Sequence, residues 1–143
     1  MQSLRRIFLI FFILISFGAS WSLTQEADIV VEHQPSAQRL LDLNVKNWPI
    51  WHKENSIFPW SFPYTEMAYI LEGEVTITPK LGASKNAPAV ILKAGDLVTF
   101  PAGTYTEWNV SKPIQKHFHQ QGSELSIFYH RMVLKVRRII ESI

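Results

Sequence analysis

The sequence predicts an all-β protein: one small domain whose strands close into a barrel or pack as a sandwich. Three observations carry the prediction. The 143 residues leave room for one hydrophobic core and not for two. Apolar residues make up 47% of the chain and charged ones 18%, the balance of a packed globule and not of a disordered binding segment. From Ile29 onward, short β-branched and aromatic runs are punctuated by Pro, Gly and Asn, with no helical periodicity between them until the C-terminal end.

Residues 1–22 stand apart from the rest. Arg5 and Arg6 precede an apolar run from Ile7 to Phe17, broken only by Ser16, and the small residues Gly18, Ala19 and Ser20 follow. A positive start, a short apolar stretch and a small-residue site are the layout of a secretory signal peptide, and the run falls short of the roughly twenty residues that span a bilayer. The expectation is therefore a cleaved leader and a secreted or secretory-pathway protein. An uncleaved membrane anchor and a plastid-directed leader are the alternatives.

The strands read from the sequence are Ile29–Val31, Tyr64–Leu71, Glu74–Thr78, Ala89–Leu92, Leu97–Phe100 and Ile114–Phe118. Glu72-Gly73 reads as a tight turn between two of them, and residues 80–86 as an exposed hairpin loop. After residue 123 the pattern changes. Leu125, Phe128, Met132, Val136, Ile139 and Ile143 recur at three- and four-residue steps with Arg131, Lys135 and Arg138 between them, which predicts an amphipathic helix over 123–143. Such a helix packs on the barrel or on a partner subunit, or lies on an anionic membrane.

Charge and composition exclude several functions. Residues 23–122 carry eight Lys and Arg against ten Asp and Glu, so no basic stripe marks the domain for nucleic acid. The positive excess sits at the two ends, in Arg5 and Arg6 and in Arg131, Lys135, Arg137 and Arg138. With no cysteine there is no disulfide, thiolate metal site or cysteine nucleophile.

Two segments carry a fold signature. In the first, an alternating strand containing Glu66 ends at Gly73, a residue free to turn without a Cβ penalty. The second, Gly95-Asp96-Leu97-Val98-Thr99-Phe100-Pro101-Ala102-Gly103, is a turn, a strand and a second turn fixed by Pro and Gly. In this order they resemble the two motifs of the cupin superfamily, the RmlC-like jelly rolls. The surrounding Trp48-Pro49-Ile50-Trp51, Phe58-Pro59-Trp60, Trp108-x-Val110 and Lys116-His117-Phe118 narrow the likeness to the (S)-ureidoglycine aminohydrolase-type cupin domain family, over about residues 40–118. The resemblance implies a single jelly-roll barrel over 28–119.

It also implies where a metal would sit, and this sequence departs there. Metal-dependent cupins supply a His-x-His pair shortly before the glutamate and another histidine three residues after the second motif's glycine. Pro59, Trp60, Ser61 and Phe62 occupy the places before Glu66, depending on the spacing used, and Thr106 follows Gly103. One carboxylate and one hydroxyl are a poor set for zinc, iron or manganese, so no metal and no cofactor is expected.

Strand alternation puts Glu66, Ala68 and Ile70 on one face. With Glu66 facing inward, the barrel mouth is expected to be lined by Glu66, Thr106 and Trp108, with Trp60 and Phe62 nearby: an aromatic cup for a small molecule of unknown identity. Glu66 would accept hydrogen bonds from a ligand, act as a base, or simply bond Thr106 or a ring N–H inside the barrel. It is the one candidate catalytic residue. Trp48 and Trp51 are expected to cover the exterior. His117 and His119 share a strand face and lack a third ligand, His33 and His52 sit in polar loops, and Asp96 reads as a turn residue. The leading expectation is a metal-free small-molecule binder. The alternatives are a metal-dependent hydrolase of ureide-like C–N bonds and a structural or membrane-associated protein. A homodimer that covers the exposed sheet edge is expected.

Overall fold

A computed structural model describes residues 28–81 and 86–143. The expected leader over 1–22 lies outside the described residues, as does most of the expected loop at 80–86. The described elements are β1 (Val30–His33), α1 (Ala37–Asp42), β2 (Ile50–Lys53), β3 (Ser56–Phe62), β4 (Thr65–Pro79), β5 (Val90–Lys93), β6 (Asp96–Phe100), β7 (Thr104–Gln121) and α2 (Glu124–Glu141), with a short 3-10 turn at Val45–Asn47. The strands pair in the order β1-β6-β4-β7-β2, with β3 also on β7 and β5 also on β4.

The two long strands form the spine. They run antiparallel from Thr65 opposite Gln121 to Pro79 opposite Thr106. The first part of β4 pairs with β6 and the second with β5. In the same way β2 pairs with the later part of β7 and β3 with its beginning. Each long strand therefore changes partners along its length, and the single seven-stranded sheet bends where the partners change.

The bend is built from register shifts. Between Ile70 and Val75 the pairing of β4 with β7 slips three times. Glu66, Ala68 and Ile70 are buried before the bend, and Val75, Ile77 and Pro79 after it, so the inward face changes from even to odd positions. An extra residue in one strand makes that change, because side chains alternate with a period of two. Gly73 sits at the crossing with φ +90°, and a Cβ there would lie 2.1 Å from the carbonyl oxygen of Pro113. The expected tight turn at Glu72-Gly73 is thus a bulge in one continuous strand. Only glycine lets the two backbones approach so closely.

Four further elements differ from the sequence reading. The expected strand at Ile114–Phe118 is the end of the much longer β7, and β2 and β3 were not expected. The unexpected α1 starts at Ser36, whose hydroxyl accepts the N–H of Arg39.

Side chains from both halves of the bent sheet meet in one core of Phe62, Ala68, Ile70, Val75, Ile77, Leu92, Val98, Phe100, Trp108, Val110 and Ile114. Phe62 and Phe100 stack nearly parallel with centroids 4.3 Å apart. Such a pair adds about 0.5–1.5 kcal/mol to its area burial.

The helix α2 is capped by Ser123, whose hydroxyl accepts the N–H of Ser126. Leu134 is buried, Ile127 and Tyr64 approach Gly122, the His130 ring approaches Gly103, and the Arg138 guanidinium lies 5.0 Å above the Tyr105 ring. The apolar face read from the sequence is not the packed one. Leu125, Phe128, Met132, Val136, Ile139 and Ile143 are all more than half exposed, as are Tyr129 and Ile140. Among the described residues, no helix is long and apolar enough to cross a membrane.

Candidate functional site

Alternation along three strands aims a set of aromatic side chains into one cup. From β3 come Phe58 and Trp60, from β7 Trp108 and Phe118, and from the short β2 Trp51; Tyr64 closes the rim between β3 and β4. The cavity they enclose holds about 280 Å³. That is close to the lower end of small-ligand sites, roughly 300 Å³. Its polar groups are Glu66, Lys116 and Gln120.

Glu66 and Lys116 are an ion pair at the base of this cup. Their side chains are 3% and 6% exposed, and the Lys116 ammonium donates to Glu66 Oε1. The Gln120 amide donates to the other carboxylate oxygen at 3.3 Å. The pairing follows from register: Ile70 lies opposite Lys116 and Glu66 opposite Gln120, so all three polar side chains project from neighbouring positions on the spine. Four rings surround the ammonium, with Nζ 5.1 Å from the Trp108 centroid, 5.2 Å from Trp51, 5.8 Å from Phe118 and 5.9 Å from Phe100. Ring faces and carboxylate favour the charged amine. Burial opposes it more strongly and holds Lys116 below the ordinary lysine pKa, with Glu66 pulling the other way. The Tyr64 phenol is raised, first by burial and then by the Glu66 charge, so it stays protonated.

Of the residues expected in the cup, Glu66, Trp60 and Trp108 line it. Thr106 and Phe62 are fully buried behind it. The Thr106 hydroxyl accepts the Trp108 indole N–H at 3.0 Å and donates to the Trp60 backbone carbonyl at 3.2 Å, which fixes the Trp108 ring against β3. Glu66 bonds neither Thr106 nor a ring N–H. Trp51 was expected on the exterior and instead forms a wall, edge-on to Trp108 at 5.9 Å. Lys116 was missed as a site residue, although a lysine at the inward parity between Ile114 and Phe118 was the signal that could have found it.

His33 lies on β1 and His52 on β2, and not in the polar loops expected for them. His117 Nδ1 donates to the Trp48 carbonyl at 2.7 Å, and His119 stacks on the Trp48 ring. Asp96 accepts the Lys93 N–H at 2.9 Å, as a turn residue should. It also meets the His33 ring at 2.9 Å, a contact from β1 that was not expected.

The residues do not fit a transition metal. Among the described residues, no three His, Asp or Glu side chains gather where they could hold one. The inward carboxylate is already engaged by an ammonium, which repels a cation and has no lone pair to give while protonated.

One seven-stranded antiparallel sheet folded over a central cup, with two long bent strands as its spine, defines a cupin barrel. The chain belongs to the EutQ-like cupin domain family, whose pattern it matches over residues 40–118. It is 37% identical to a DUF861 family protein from Thermotoga maritima, with 66% of this chain and 100% of that one covered and a TM-score of 0.60. Two more distant structures are the EutQ protein of Clostridium difficile (17% identity, 52% and 50% covered, TM-score 0.44) and a putative ethanolamine utilization protein Q from Salmonella typhimurium (19%, 67% and 71%, TM-score 0.43). Comparison with curated proteins found no match.

Proposed function

We propose that this cupin binds a small, flat organic molecule in its aromatic cup without a metal. One observation carries the reading: the Lys116 ammonium occupies the partner position of the inward Glu66 carboxylate. The walls offer ring faces to a planar ligand, and Gln120 and the ion pair orient its polar atoms. The metal-dependent hydrolysis of a ureide-like substrate, implied by the resemblance to ureidoglycine aminohydrolase-type cupins, needs donors that these residues do not supply. Calorimetric titration with a panel of small planar metabolites in the presence of a chelator tests the proposal. Binding that weakens in Trp60→Ala supports it. Stoichiometric manganese or iron in the purified protein, lost together with a hydrolytic activity in Glu66→Ala, overturns it in favour of the hydrolase.

A second reading rests on the outward face of α2. We propose that this helix lies on an anionic lipid surface. Its exposed apolar side chains lie opposite the face that holds Leu134, and the helix carries Arg131, Lys135, Arg137 and Arg138 against Glu124 at its start and Glu141 at its end. On a helical wheel, Arg131 and Lys135 lie along one edge of the apolar face. Phosphatidylserine headgroups complement that edge, whereas a second copy would bring further cations to it. Sedimentation with phosphatidylcholine vesicles, with and without phosphatidylserine, is the test. Binding to the anionic vesicles only, weakened by salt and lost in the surface variant Phe128→Ser/Met132→Ser, supports lipid contact. No binding to either vesicle, or a dimer by light scattering that this variant dissociates, overturns it. The dimer outcome would instead establish the homodimer expected from the sequence.

A further inference from the structure

The buried lysine suggests a chemistry for the cup, and the inference rests on reading the cup as a ligand site. We propose that Lys116 is a nucleophile that condenses with a flat aldehyde or ketone to form an imine, with Glu66 as its proton shuttle. A lysine desolvated among apolar walls is the usual form of an amine nucleophile, because burial disfavours the charged form and lowers the pH at which the neutral amine appears. Here the amine lies at the base of a cavity that can hold a small ring, and its one carboxylate partner is within proton-transfer distance. Gln120 holds the second carboxylate oxygen and so keeps the first aimed at Nζ.

The protons balance through that one carboxylate. Lys116 passes a proton to Glu66, leaving a neutral amine and a carboxylic acid. The nitrogen lone pair forms a C–N bond to the carbonyl carbon while the C=O π pair moves to oxygen. Glu66 protonates that oxygen and takes a proton from nitrogen, giving a neutral carbinolamine. Glu66 then protonates the hydroxyl, which leaves as water as the nitrogen lone pair closes the C=N bond. The start is an ammonium beside a carboxylate, and the end is an iminium beside the same carboxylate plus one water. The surrounding ring faces that favour the ammonium also favour the iminium.

Benzaldehyde with a mild hydride reductant provides the test, read by peptide mass spectrometry on the full chain at neutral pH. A benzyl adduct should form at Lys116 about tenfold faster than at exposed lysines such as Lys53 and Lys93, where no aromatic cavity holds the aldehyde beside the amine. Lys116→Arg should retain the ion pair and the folded spectrum and lose this adduct. Benzyl alcohol, equally flat but without a carbonyl, reports on the cup alone through tryptophan emission. If benzyl alcohol binds and adducts appear only at exposed lysines, the amine chemistry is overturned and the cup stands. If neither compound enters, the ligand-site reading fails with it.

Discussion

Replacing Lys116 by methionine removes the cation from a carboxylate that is 3% exposed. Methionine fills much the same volume, so the change is electrostatic more than steric. Glu66 would keep only the Gln120 amide at 3.3 Å, and breaking one side of a buried pair costs about 3–5 kcal/mol. That is a large share of a domain stability of roughly 5–15 kcal/mol. Glu66→Met/Lys116→Met removes both charges and leaves apolar side chains among Trp51, Trp108 and Phe118, a replacement that is commonly neutral or stabilising by about 1–4 kcal/mol. The double variant should therefore be more stable than the single one. Urea unfolding followed by tryptophan emission measures this, with m unchanged so that midpoints compare directly. A Lys116→Met barrel within about 1 kcal/mol of the parent would refute the reasoning, since surface ion pairs are worth no more than that. It would mean that water reaches the carboxylate.

Other perturbations have equally definite outcomes. Gly73→Ala should cost on the order of 4 kcal/mol or more because backbone stands in the way, whereas Gly95→Ala, whose nearest neighbour is the Gln34 amide at 3.6 Å, should cost only the about 1–2 kcal/mol of its φ of +93°. Thermal melts that rank the two the other way contradict the bulge geometry. Trp60→Ala, on the partly exposed lip, should weaken a flat ligand about 2- to 10-fold and leave the melting temperature nearly unchanged. Glu66→Gln removes the group that raises the Lys116 pKa and leaves burial unopposed, so the amine should become reactive at lower pH than in the parent; a shift upward would be fatal to that account. In the parent, the unfolded chain binds more protons than the folded one between the depressed Lys116 pKa and the ordinary value of 10.5. This group therefore makes stability rise with pH across that window, measurable as a rising urea midpoint.

The parts legible in the sequence were those whose local chemistry leaves one choice. Gly95 and Gly103 both adopt positive φ at the ends of β6, and the strand between them reads directly as a strand. The strand β3 hid behind Pro59, which argues against a sheet interior, yet β3 pairs only with β7 and an edge tolerates a missing N–H. Glu72-Gly73 misled because a glycine in a bulge and a glycine in a turn look alike without the facing strand. In the cup, Glu66 was legible from alternation, while Trp51 was not, since a four-residue strand is too short to show which face is inward. Lys116 was overlooked because lysine is normally solvated, and only its partner on a strand fifty positions earlier makes its burial affordable.

The spine also constrains how the polypeptide can be made. On its β7 side Thr65 lies opposite Gln121, so during synthesis the first-formed half of that ladder must wait for nearly all of the barrel to emerge. Until then β4 offers a fifteen-residue edge to any passing chain, the situation in which nascent proteins aggregate or recruit chaperones. Premature termination anywhere before Thr104 would release a product with no β7 to cover that edge, and such fragments should be insoluble and not merely unstable.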